Sequence, residues 1–339
     1  IFTVLGKNPV TAFQVFFIKP LATGYGLGEL LLKTTPLLLC AVGLALGFRA
    51  NVWNIGAEGQ LTLGAIAGTG VALLFGAQPS IWVLPAMLLA GLLGGMLWAA
   101  IPAFLRTRFN TNEILVSLML VYIAQLLLAW LVHGPWRDPA GFNFPQSRIF
   151  NEWELLPLLF EGARTNAGFL MALTVAGAAW FFMARSHAGY RMQVAGLAPA
   201  AAAYAGFSEK RNIWLALLLS GATAGLAGIG EVAGPIGQLQ PQVSPGYGFA
   251  AIIVAFVGRL HPFGIVLASL LMSLLYLGGE QAQMELALPA AVTGLFQGLL
   301  LFYLLAADTF VHFRLRTRRR AVGAAVVDKA SAAAAEVIP

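Results

Sequence analysis

Long apolar runs separated by brief polar breaks dominate this chain. A membrane-crossing helix needs about 20 mostly apolar residues. Nine runs qualify as candidates, near 29–48, 61–77, 81–105, 114–133, 167–184, 213–232, 248–258, 262–279 and 288–307. The seventh is too short to cross alone and reads as a broken or tilted element. The pattern predicts an all-α fold, a polytopic transmembrane helical bundle of about nine spans. Composition agrees, with 59% hydrophobic and 10% charged residues, against about 45–50% and about 25% in soluble domains. That excess of apolar surface has to face lipid.

The positions of the charges orient the bundle. Cytoplasmic loops collect lysine and arginine. With the chain beginning outside, the inner segments hold 14 of the 20 Lys and Arg residues and the outer segments five, with Lys33 inside the first span. The net charge of +6 is therefore an orientation signal, and no nucleic-acid partner follows from it. Residues 1–310 read as the transmembrane region, with 134–166 as an extracytoplasmic cap and 185–212 as a cytoplasmic loop. Residues 311–339 form a basic and then alanine-rich tail, expected to be disordered and cytoplasmic. The run Ile1–Leu5 reads as the end of a missing first helix, which would make ten spans. Lys33, near the outer end of its span, is expected to snorkel toward the interface.

Candidate chemistry is sparse. The sequence contains no G-x-x-x-x-G-K-[ST] phosphate loop, H-E-x-x-H or G-x-S-x-G, so no catalytic residue and no ATPase site is assigned to this chain. The four histidines are scattered and Cys40 is the sole cysteine, so no metal site is assigned either. The most informative stretch runs from Asn51 through Asn54, Gly56, Glu58 and Gly59 to Gln60. Broken backbone at membrane depth persists only where it lines a cavity or is buried in protein, and transporters build solute sites from such discontinuous helices. The competing reading is a cytoplasmic turn in which Asn51 or Asn54 caps the next helix and Glu58 lies in its first turn.

In loop 185–212, Pro199 can open a short helix and Gly206 can end it. The stretch from Gly196 leads into this helix, whose alanines, Ala201 and Ala202 among them, would give it a small, smooth face able to dock on a cytoplasmic partner; otherwise it is a linker. Residues 220–228 place small side chains at four-residue spacing, which lets helices approach closely. Glu113 reads either as half of a capping pair with Asn110 or as a pathway residue. Glu231, beside the loop before Tyr247, could line an outer vestibule.

At these residues the chain resembles the permease family of bacterial ATP-binding-cassette importers for simple sugars, nucleosides and branched-chain amino acids. It is most similar to the nucleoside and simple-sugar, ribose-permease-like branch. Asn54 to Gln60 resembles that branch's signature, Asn112 to Leu120 a second block, and Gly196 to Gly206 the loop that contacts the ATPase. Ser220 to Gly234 and Pro245 to Gly264 complete the match. Val121 and Ala198 stand where members often carry asparagine. The resemblance implies a transport subunit of the bacterial inner membrane that passes a small polar solute by alternating access. Its partners would be a cytoplasmic ATPase, holding the ATP and Mg, a second permease chain and an external solute-binding protein. The alternative class is an ion-coupled secondary transporter, which would typically carry more acids within its spans.

A reporter active only in the cytoplasm should work when fused after Arg320 or near Ala195, and should fail near Asp138. Activity at Asp138 would invert the topology.

Overall fold

The computed structural model describes residues 7–75, 79–160, 162–289 and ten positions between 291 and 307. The run Ile1–Leu5 and the tail 311–339 lie outside the described residues. The first compact unit is 1–299 and the second 300–339. In the second, 302–303 and 306–307 are helical, and the rings of Phe302 and Tyr303 meet edge-on at 5.8 Å.

The first unit is helical. Among the described residues no strand forms beyond one isolated bridge between Leu158 and Asn166. A short apolar helix, α1 (Pro9–Phe13), continues through π and 3-10 turns to Leu21. The helices that follow are α2 (Gly24–Arg49), α3 (Ala57–Phe75), α4 (Val83–Phe109), α5 (Glu113–His133), α6 (Gly168–Arg185), α7 (His187–Leu197), α8 (Pro199–Tyr204), α9 (Glu209–Glu231), α10 (Tyr247–Val257) and α11 (Pro262–Leu286). Seven of them, α2 to α6, α9 with its extension to Ile236, and α11, are long and apolar enough to cross a membrane. They coincide with seven of the nine runs. The seventh run is α10, an 11-residue helix, about 16 Å long at 1.5 Å per residue and so about half the hydrocarbon core. The ninth run falls partly on residues outside the description. The α1 segment escaped the sequence pattern because Lys19 and Pro20 cut its apolar run short.

Helix α2 is the axis of the bundle. It is apolar all round and almost wholly buried, as a helix enclosed by others should be. The Thr23 hydroxyl caps it, accepting from Gly26 N at 3.0 Å. Helix α9 packs against it, and α3 and α4 pack on α9 with backbones nearly touching. Gly221 and Gly225 of α9 face Gly95 and Gly91 of α4, and Gly228 faces Leu61 of α3. Without a side chain at these points, the helices gain dispersion contact along their whole length, which is what holds helices together in lipid.

The segment 134–166 covers one end of the bundle, the cap end; α7 and α8 form an elbow at the other. A latch holds the cap. Arg148 pairs with the fully buried Glu154 through two hydrogen bonds of 2.9 and 2.7 Å, and its Nη2 donates to Ala72 O near the C-terminus of α3 at 2.7 Å. Such charge-assisted forks are the stronger hydrogen bonds of proteins. The cap then binds the chain beyond α9. Ser147 N donates to Leu239 O, Phe150 N to Gly237 O and Leu156 N to Ala233 O, all at 2.8–2.9 Å. Lys33 pairs with Glu280 of α11 at 2.8 Å, because α11 brings a carboxylate within reach of its ammonium.

Adding a β-carbon at Gly225 would overlap the backbone of Gly91 and Gly95, whereas Gly177 of α6 has nothing within 4 Å. Gly225→Val should therefore sharply reduce membrane abundance and melting temperature, while Gly177→Val leaves both unchanged. Quantitative blotting and thermal unfolding in detergent measure this.

Candidate solute pathway

Two helices begin inside the bundle. After α2 ends at Arg49, the chain turns at Asn51, which has φ 56°, and runs back between the helices until α3 opens at Ala57. From the cap end, the segment 237–246 descends to Tyr247, where α10 opens. The two N-termini meet. Glu58 Oε2 accepts from Gly248 N at 2.7 Å, and Ser244 lines the space beside it. Ser244 Oγ in turn accepts from Gly246 N and Tyr247 N at 3.0 and 2.8 Å. Helix N-termini carry unpaired N–H groups and partial positive charge, and the Glu58 side chain supplies an acceptor where the two meet.

Asn54 satisfies the other side of this junction. Its Oδ1 accepts from Gly56 N at 3.0 Å and Gln60 Nε2 at 3.1 Å, and its Nδ2 donates to Gln60 Oε1 and Ser220 Oγ, both at 2.8 Å. Those four bonds use the whole capacity of the amide. Asn54, Gln60 and Ser220 are each 1% exposed. They form a closed knot tying the start of α3 to α9. Ser117 of α5 joins it, accepting from Ile55 N at 3.3 Å. Val121, where an asparagine is common in the resembling family, packs under Gly59.

Of the residues singled out by sequence, the structure brings Asn54, Glu58, Gln60 and Tyr247 to this junction. It places the others elsewhere. Asn51 lies at the elbow end, exposed, accepting from Trp53 Nε1 at 3.2 Å. Glu113 pairs with Arg106 at 2.8 Å and lines a small cavity beside α8. The residue capping α5 is Asn112, whose side chain accepts from Ile114 N at 2.9 Å. Asn110 is instead the left-handed stop of α4, so its pairing with Glu113 does not form. Glu231 ends α9 toward the cap end, where Glu29 also lies, 3.5 Å from Arg164 of the cap.

A cavity of about 400 Å³ opens beside Glu58, lined by Thr62, Gln125, Leu128, Pro241, Gln242, Val243 and Ser244. Sequence reasoning missed its polar members. The one signal available was Gln125, an amide near the middle of an otherwise apolar span.

At the elbow, Pro199 opens α8 and Gly206, with φ 75°, follows its end. Gly196 lets α7 approach the carbonyl of Arg49, where a β-carbon would collide. Ala201 is exposed, but Ala202 is buried against the chain's own elbow cavity. The side chains standing out are Leu197 and Tyr204, at 86% and 96% exposure. The expectation that Ala202 offers its methyl to a partner therefore does not match its position: it is turned toward a cavity whose walls include Asn51 and Val52.

A family model described as "Branched-chain amino acid transport system / permease component" matches residues 26–305. The chain belongs to this permease family. A glucose ABC transporter permease protein, TsgB13 of Haloferax volcanii, is 37% identical over 92% of this chain and 84% of its own length. The guanosine ABC transporter permease protein NupP of Bacillus subtilis is 30% identical over 94% and 92%. The nucleoside ABC transporter permease protein NupB of Lactococcus lactis is 28% identical over 82% and 79%. The family match runs through both half-helix junctions and the elbow, so this permease keeps those elements inside the matched region.

Asn54→Ala would strip Gln60, Ser220 and Gly56 N of partners at once. An unpaired buried polar group costs about 1–3 kcal/mol, so the variant should lose several degrees of melting temperature and much of its abundance. An unaltered melting curve would mean the knot contributes no stability.

Proposed function

We propose that this chain is the membrane permease subunit of an ATP-binding-cassette importer, forming by alternating access the path of a small polar solute such as a simple sugar or nucleoside. The carrying observation is the meeting of two helix N-termini around Glu58 inside the bundle, next to a cavity with polar walls. Interrupted helices provide directed amides and a hinge at the point where a path must open and close. Relatives named for glucose, guanosine and nucleosides support the solute class.

In this reading ATP is hydrolysed, with Mg, on a separate cytoplasmic ATPase, and a second permease chain and an external solute-binding protein complete the machine. The chain spans the cell membrane, the inner membrane in a bacterium, some nine or ten times with its C-terminus in the cytoplasm. The elbow of α7 and α8 receives the ATPase. Its outward side chains Leu197 and Tyr204 make the contact, and Ala202 acts by seating α8 on the end of α2. Push on the elbow would then reach the junction through Asn51–Gly56, the stretch linking α2 to α3. Three stacked rings, Phe48, Trp53 and Phe256, at centroid distances of 5.0–5.8 Å, tie that stretch to α10.

Vesicles holding the chain with its partner subunits should accumulate labelled sugar or nucleoside only when ATP is supplied. Glu58→Gln keeps the shape but weakens the junction, and should lower the uptake rate per permease by about 5- to 150-fold, the equivalent of one lost hydrogen bond. Leu197→Glu with Tyr204→Glu should lower the amount of ATPase that co-purifies, while Ala202→Glu should lower permease abundance. Accumulation driven by an ion gradient without ATP would overturn the reading.

A further inference from the structure

The cavity beside Glu58 differs in kind from the knot around Asn54. The knot is closed, whereas the cavity walls keep unused hydrogen-bonding capacity. The Glu58 carboxylate offers about four acceptor positions, and Gly248 N takes one of them. Thr62 Oγ1 donates to Glu58 O at 2.9 Å and remains free to accept. Gln125 and Gln242 contribute two exposed amides.

Gln125 is the most telling residue. It sits near the middle of α5, on the flank between the buried Val121, Leu128 and Val132 and the exposed stripe of Met119, Tyr122, Ile123, Leu126 and Trp130. An amide facing hydrocarbon has no partner and is costly, so this position requires a wet or protein-lined space. The cavity supplies that space: α3 brings Glu58 and Thr62, α5 brings Gln125, and the segment descending to α10 brings Gln242 and Ser244. At about 400 Å³ it falls within the range of small-molecule sites, about 300–1,000 Å³.

The lining also says what fits. Among the described residues no aromatic ring lines it, so a planar base would find no stacking surface there. No lysine or arginine is among these residues either, and the one ionisable group is an acid, so an anion would find no cation to offset its lost hydration. Amide, hydroxyl and carboxylate groups together suit a neutral ring bearing several hydroxyls, each of which both donates and accepts.

We infer that this cavity is the solute subsite of the permease and that it selects a neutral, polyhydroxylated ring through Gln125, Gln242, Thr62 and a free acceptor position of Glu58. The inference rests on the permease reading above and adds the recognition residues to it.

The test uses source-strain cells lacking the native gene and carrying either the wild-type chain or a variant. Labelled glucose, ribose and guanosine serve as probes. For whichever probe the wild type accumulates, Gln125→Leu and Gln242→Leu should raise KM by about 5- to 150-fold at unchanged membrane abundance, and Gln125→Asn should recover part of it. Removing one ring hydroxyl from the probe should weaken competition in the wild type and do so less in the Leu variants. Free guanine and glucose 6-phosphate should compete poorly. A wild-type KM in both Leu variants overturns this inference and leaves the permease reading standing, as does strong competition by glucose 6-phosphate. A wild type that accumulates none of the probes sinks the solute class of both readings.

A second measurement needs no transport. The sole native cysteine, Cys40, is fully buried, so Gln125→Cys introduces one accessible thiol. A permanently charged, water-soluble thiosulfonate should label it in membranes, and the accumulated probe should slow the labelling. A thiol that never reacts lies in lipid or under protein and overturns the subsite.

Discussion

The hydrogen bond from the Gly248 amide to the Glu58 carboxylate, 2.7 Å long, is the contact on which this architecture depends. A helix that starts inside a membrane protein exposes N–H groups to a medium with no water to satisfy them. Here two helices start that way, and one side chain from the first turn of α3 answers the N-terminus of α10. Asn54 answers the N–H of Gly56, and its bonds to Gln60 and Ser220 tie the start of α3 to α9. Without these partners α3 and α10 could not begin at this depth, and there would be no cavity between them.

The rest of the molecule holds those two helix starts in place. Glycines on α4 and α9 let the helices beside the junction approach to backbone contact, which leaves little freedom to slide. At the cap end, Arg148 and Glu154 fasten the cap to α3, and the cap's main chain fastens the segment leading to α10. At the elbow end, stacked rings join α2, the returning stretch and α10. Both ends of the discontinuous elements are thus tied to firm helices, while the junction is held by a few hydrogen bonds.

Much of this was legible from sequence because it follows from local chemistry. The seven long helices follow from unbroken apolar length, and the short α10 from a run too brief to cross. The bounds of α8 follow from Pro199 and Gly206, whose backbone preferences are local. The close packing of residues 220–228 follows from their size. Asn54, Glu58 and Gln60 stand out because polar groups between two spans need a reason. Other features were not legible. Gln125 and Gln242 were not singled out, because nothing along the chain shows that they face one cavity, and nothing local pairs Lys33 with Glu280 of α11.

The division has a physical cause. Sequence by itself determined that this is a helical membrane protein, where its spans run and where the backbone must break, because apolar length, glycine and proline act on their neighbours along the chain. Only the tertiary structure decided how each polar group is used. Asn54 and Gln60 are satisfied by each other and Ser220, Glu58 by a helix nearly 200 residues away, and Ala202 by its own elbow. Hydrogen bonds and ion pairs are settled by which atoms come within about 3 Å, and that proximity exists only once the helices have packed.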